Sequence, residues 1–266
     1  MSTPFVLVHG GAHGAWCWEA LREHLPGEVL AVDLPPKAVR GARVEPDAPL
    51  PAQLATVGLD DFASSAIADI DAAGIGRFVL VGHSMGGLTV SEVARRIPDR
   101  VQTLVYVSCI IPPEGGSVID TLPVEFRDVV RESVERAKAG ELAAGPATGL
   151  DEATLRRMFC NDMDEEQSQL VLDHCGAEAP RAFDDTVTRA GIPPELPKVY
   201  VRLARDQALS AHDQDAQIAN LRDSPGGDLR IVELDTGHDV MISAPRLLAS
   251  VLASVLASVT GERDAS

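Results

Sequence analysis

The stretch Arg77-Phe78-Val79-Leu80-Val81-Gly82-His83-Ser84-Met85-Gly86-Gly87-Leu88-Thr89-Val90-Ser91-Glu92-Val93-Ala94 turns from an unbroken apolar run into a helical pattern. The apolar run reads as a strand covered on both faces. The spacing that follows predicts a helix over Met85–Arg96. Between them Ser84 is flanked by Gly82 and Gly86, a G-x-S-x-G pattern. The pattern alone is common, and its context is what carries weight. Strand, sharp turn and helix in that order hold a serine in strained backbone geometry with its hydroxyl exposed. Small residues two before and two after let strand and helix approach. The helix N-terminus then points its N–H groups and dipole at any negative charge that develops there. Ser84 is the candidate nucleophile.

Working outward, short apolar runs alternate with helical patterns. Phe5–Val8, Val29–Val32, Phe78–Val81, Leu104–Val107, Val199–Leu203 and Leu229–Leu234 read as strands. In the segment 59–73, Leu59, Phe62, Ala63, Ala66, Ile67 and Ile70 form one helical stripe. This alternation predicts an α/β protein, with a mostly parallel sheet and helices on both faces. From residue 112 to 196 the rhythm breaks. That stretch offers helices over 124–139, 151–161 and 165–175 and no clear strand. We expect a core of 1–111 and 197–266 and a helical cap of 112–196, although a packing module with no role in binding has the same pattern. Pro35–Pro51 reads as a surface loop and the tail 262–266 as frayed. The Leu/Val/Ala/Ser period over 248–259 predicts a last helix packed on the sheet.

Parallel strands share one edge for their C-terminal ends, so partners of Ser84 must leave other strands there. Of seven histidines, His238 follows the last strand in Leu234-Asp235-Thr236-Gly237-His238 and is the candidate base. His9 belongs to the first loop and braces it. His83 points away from the serine, and His13 packs within its loop. His24, His174 and His212 read as solvated. Asp206 follows the fifth strand and lies between serine and histidine in chain order, so it is the candidate acid that orients the imidazole. The end of the fourth strand offers Ser108 and Cys109 but no carboxylate. Asp235 and Asp239 stand too close to His238 to reach its Nδ1.

The loop His9-Gly10-Gly11-Ala12-His13-Gly14 also admits a dinucleotide-binding reading, with Asp33 where a ribose-binding acid would sit. That reading fails because His9 stands where the fingerprint needs glycine, and the P-loop G-K-[ST] is absent. A backbone N–H here, at Gly11, pairs instead with the N–H of Met85 as an oxyanion hole. No His/Cys/Asp cluster suggests a metal, and the chemistry needs no cofactor.

The formal net charge is −17, which repels nucleic acid and anionic membrane surfaces. Four scattered cysteines with no C-x-x-C read as reduced thiols, and no signal peptide is evident, so a cytoplasmic location is expected. Phe126, Met158, Phe159, Met163 and Phe183 suggest an apolar pocket for a small or medium hydrophobic ester. Oligomeric state is open, with a homodimer allowed.

The run Val6-Leu-Val-His-Gly-Gly-Ala-His-Gly-Ala-Trp-Cys-Trp18, with the G-x-S-x-G elbow, resembles the α/β-hydrolase superfamily. It is most similar to the subgroup of methylesterases and (S)-hydroxynitrile lyases. The resemblance covers roughly residues 5–110 and 197–258. It implies an α/β-hydrolase fold, a triad of Ser84, Asp206 and His238, and oxyanion donors at Gly11 and Met85. Three positions depart from the lyases, which carry lysine after the histidine (here Asp239), threonine after the first loop histidine (here Gly10) and no histidine before the serine (here His83). Cyanohydrin cleavage needs a positive group to receive cyanide, so the resemblance implies a carboxylic ester hydrolase. A lyase or carbon–carbon hydrolase on the same triad and a non-catalytic binding protein are the other classes.

Overall fold

A computed structural model describes residues 3–37, 50–141, 151–224 and 228–260. Six strands form one all-parallel sheet in the order β2-β1-β3-β4-β5-β6. They are β1 (Phe5–Val8), β2 (Val29–Val32), β3 (Phe78–His83), β4 (Val101–Val107), β5 (Lys198–Leu203) and β6 (Leu229–Leu234). The main helices are α1 (Leu59–Ala72), α2 (Gly86–Arg96), α3 (Val124–Lys138), α4 (Glu152–Phe159), α5 (Glu165–His174), α6 (Ala211–Arg222) and α7 (Pro245–Thr260).

The central strands β1, β3, β4 and β5 are apolar on both sides because both sides are covered, whereas the edge strand β6 leaves Arg230, Ile231 and Glu233 exposed. Phe5 and Leu7 enter one core cluster with Trp18, Leu248 and Leu252. Val6 and Val8 enter the other with Phe62, Ile70 and Val90. Each fully buried aliphatic or aromatic side chain contributes about 1.5–3 kcal/mol of transfer free energy. The period along α7 buries Leu248, Leu252, Val255 and Leu256 on the first of these clusters.

Between β4 and β5 the described residues form helices and turns with no strand, as the sequence predicted. Two of these helices start on side-chain caps. Asp151 accepts from Thr154 N, and Asp164 forms a reciprocal box with Gln167. Residues 38–49 of the proline-rich loop and the tail 261–266 lie outside the described residues.

β1 is flanked by β2 on one side and β3 on the other, so the chain reverses its direction of travel across the sheet at β1. In open α/β sheets, the crevice at such a reversal, beyond the C-terminal strand ends, is where ligands bind. The loops leaving β1 and β3 meet there.

Candidate active site

Ser84 sits at the tip of the β3–α2 turn with φ +52°, in the left-handed region. A non-glycine residue there costs about 1–3 kcal/mol and persists only where its surroundings hold it. Here they do. Ser84 N donates to Val107 O at 3.1 Å, and Ser84 O accepts from Gly87 N (3.1 Å) and Ile110 N (3.0 Å). The elbow also needs bare backbone on its far side. A β-carbon at Gly86 would lie 2.6 Å from His9 O and 2.7 Å from Val8 O. That closeness lets α2 start against the end of β1.

His238 leaves β6 at the same edge. Its Nδ1 donates to Asp206 Oδ2 at 2.6 Å. The carboxylate is itself held by Ser108 Oγ on Oδ2 (2.6 Å) and by the N–H groups of Ala208 and Leu209 on Oδ1 (2.8 Å each). His238 is buried, and its Nε2 has no hydrogen-bond partner. Ser84 and His238 therefore share the edge without a closed hydrogen bond between them. Burial pushes the His238 pKa down, but the charge and hydrogen bond of Asp206 outweigh it, and the net shift is upward from 6.5. Burial also raises Asp206, and the imidazole charge, with the donors around the carboxylate, brings it below the usual range.

The β1 loop closes the site. A β-carbon at Gly10 would meet Ser84 Cβ at 2.7 Å, and one at Gly11 would meet Met85 Sδ at 2.7 Å. Among the described residues, no protein acceptor takes the N–H of Gly11 or Met85. His9 braces the loop as expected, donating from Nδ1 to Gly10 O (2.8 Å) and accepting Leu34 N–H on Nε2 (3.1 Å). Asp33, which a dinucleotide site would use for ribose, instead accepts Ala15 N–H at 2.6 Å.

Other histidines do more than the sequence suggested. His83 is buried, donates from Nε2 to His238 O (3.1 Å), and its ring centroid lies 4.5 Å from that of His238. Burial first, then the neighbouring His238, push its pKa down to about 3, so it stays neutral. His13 is not merely packed in its loop. It pairs with Asp239, 226 residues away, through Nε2 at 2.9 Å. His83, His238 and Asp239 each bring a donor atom within 4.8 Å of the others. Within this set Asp239 Oδ2 is taken by His13 and His83 Nε2 by His238 O, while His238 Nε2, His83 Nδ1 and Asp239 Oδ1 have no hydrogen-bond partner among the described residues.

Phe159 lies flat beside His238, with centroids 5.4 Å apart, and Met158 and Met163 pack on the same cluster. Phe183 packs near Met85. Phe126 is 56 % exposed on α3 and faces solvent, so it departs from the pocket expected of it. Sequence reasoning missed four contacts: Ser108 on Asp206, Asp239 on His13, Glu178 on the β1 loop, and Asp162 on Gly237 N (2.6 Å). The polar residue ending the apolar run of β4 was the one available hint, for Ser108.

Residues 5–251 match the family model described as "Alpha/beta hydrolase family". The chain belongs to the alpha/beta hydrolase family. It is 28 % identical to a carbendazim hydrolyzing esterase of Nocardioides sp. (strain SG-4G), over 94 % of this chain and 98 % of the relative. It is 30 % identical to the probable esterase PIR7A of Oryza sativa subsp. indica, over 95 % of this chain and 96 % of that one. Among solved structures it resembles an extracellular alpha/beta-hydrolase from Paenibacillus species. That match has TM-score 0.75 and 21 % identity and covers 95 % of this chain and 98 % of that one. No helix among the described residues is long and apolar enough to cross a membrane.

Proposed function

We propose that the protein is a serine esterase acting on a small or medium hydrophobic carboxylic ester, such as a methyl ester or lactone. The observation that carries this reading is the His238–Asp206 pair, with Nε2 of the imidazole unengaged at the sheet edge where the strained Ser84 stands. The free amides of Gly11 and Met85, and relatives that are esterases by name, support it.

In this mechanism His238 Nε2 takes the Ser84 proton as Oγ attacks the ester carbonyl. Asp206 holds the tautomer that leaves Nε2 free and stabilises the imidazolium. The N–H groups of Gly11 and Met85 receive the oxyanion. Losing one such donor costs roughly 3–4 kcal/mol of transition-state stabilisation. His238 then gives its proton to the leaving alcohol, and a water repeats the sequence on the acyl-enzyme. We read residues 112–196 as a cap that supplies the apolar wall through Phe159, Met158 and Met163. Four buried free cysteines favour a reducing, cytoplasmic setting.

The test is a panel of methyl esters, lactones, β-diketones and cyanohydrins, run beside organophosphonate labelling read by intact mass. Ester turnover with one adduct, both lost in Ser84→Ala, is expected. An adduct that persists in Ser84→Ala, or cleavage confined to cyanohydrins or β-diketones, overturns the reading.

A further inference from the structure

Beside the His238–Asp206 pair lies a second buried histidine–carboxylate pair that the mechanism does not use. His13 is 1 % exposed and Asp239 fully buried. His13 Nε2 donates to Asp239 Oδ2 at 2.9 Å, and His13 Nδ1 donates to Gly11 O at 2.7 Å. Both acceptors are oxygens, so both ring nitrogens carry protons and His13 is an imidazolium. The ring is clamped as well. It stacks on Trp16 (centroids 5.3 Å, interplanar 14°) and meets Phe159 edge-on at 5.0 Å.

What this ring holds is one peptide unit. The carbonyl of Gly11 is taken by His13. The N–H at the other end of the same unit, Ala12 N, donates to Glu178 Oε2 at 3.2 Å. Ala12 has φ +62°, a conformation that a loop of this length keeps only when it is held. Gly11 is the residue whose own N–H is the proposed oxyanion donor. Its orientation therefore depends on the plane that His13 and Glu178 fix. Asp239 directly follows His238 in the chain. His13 thus ties the oxyanion loop to the histidine loop across 226 residues.

We propose that His13, held by Asp239, is a positioning residue that aims the Gly11 N–H at the oxyanion. This rests on the serine-esterase reading. His13 touches neither substrate nor Ser84 in this role and acts through the backbone of Gly11.

The burial of His13 lowers its pKa, but the facing Asp239 overrides that, with the Cys175 thiol adding to the rise, and the net is well above 6.5. The other titratable groups around the ring are Cys17, whose thiol burial keeps protonated, neutral His83, and His238, whose pKa the His13 charge lowers.

The experiment uses the full chain. His13→Phe keeps the ring stacking and removes both hydrogen bonds, but leaves Asp239 buried without its counter-ion. The double variant His13→Phe/Asp239→Asn removes that charge and serves as the second arm. Each is assayed for kcat and KM on a nitrophenyl ester and for inhibition by a trifluoromethyl ketone, which forms a tetrahedral adduct with an oxyanion. The expected result is kcat lower by roughly 10–100-fold with KM within about threefold, and trifluoromethyl ketone affinity falling in parallel with kcat/KM, because a donor is misaimed and not deleted. His13→Gln, which keeps one donor, is expected to recover part of the loss. Folded variants with unchanged kcat, or a lower melting temperature with ketone affinity unaltered, overturn the proposal. A direct arm on the unaltered protein is ¹⁵N NMR of labelled histidines, in which a neutral His13 at pH 7 also overturns it. If the unaltered protein neither turns over esters nor labels with organophosphonate, the esterase reading has failed. Full activity of the His13 variants beside an active parent is the failure of this inference alone.

Discussion

Two imidazole–carboxylate pairs stand at one edge of the sheet and differ in what they leave open. In His238–Asp206 the carboxylate is saturated, with donors from His238, Ser108, Ala208 and Leu209, while the imidazole keeps one nitrogen unengaged. In His13–Asp239 the imidazole is saturated, and the unpartnered atom is Asp239 Oδ1. A histidine with one nitrogen held and one open can move a proton. A histidine with both nitrogens donating can only hold things in place. The same two residue types thus give a reactive pair and a fastening pair, and the difference lies in where the spare lone pair sits.

Asp206→Asn attacks the reactive pair most directly. An amide at this position favours the wrong imidazole tautomer, and kcat on an active ester is expected to fall by about 10⁴-fold with KM little changed. A loss below tenfold would put the two pairs on equal footing and break the contrast. The second way to sharpen it is the pH profile of kcat/KM. His238 must be neutral to act, and Asp206 raises its pKa, so the rate is expected to climb with pH through an inflection above 6.5. In Asp206→Asn the residual rate should show that inflection at lower pH. An inflection below 6.5 in the parent, measured from pH 5 to 9, would contradict the assignment. The smallest effect is expected of Ser108→Ala, which removes one of the donors on Asp206. A less stabilised carboxylate is more basic and holds the imidazolium more firmly. The inflection should move upward by less than about one unit and kcat/KM on the plateau should drop less than about tenfold. A downward move would show that Ser108 does not act through the carboxylate.

The sheet was legible because its central strands are short apolar runs that must be buried on both faces, and the predicted strands differ from the observed ones by a few terminal residues. β4, for instance, begins at Val101 and not Leu104. Ser84 was legible from its flanking elements. Asp206 and His238 were legible because a parallel sheet brings successive strand ends to one edge. Hydrogen bonds between side chains far apart in the chain leave no such periodic trace. Asp239 stands too close to His238 in the chain to serve as its acid, and no pattern in the sequence marks its reach back to His13. The expectation of Phe126 in the pocket rests on hydrophobicity alone, which does not say which face of a helix a residue takes.

Gly237, the residue before His238, carries a further consequence. A β-carbon there would fall 2.5 Å from both Asn161 Oδ1 and Asp162 Oδ1, where Asp162 already receives the Gly237 N–H. Two stretches of chain 75 residues apart can press together at this point only because one of them is bare. A larger residue would push the Asn161 and Asp162 side chains aside, and with them the bond from Asp162 to the Gly237 N–H next to the imidazole. A substitution at position 237 is therefore felt through space by the imidazole loop, although the residue takes no part in the chemistry beside it.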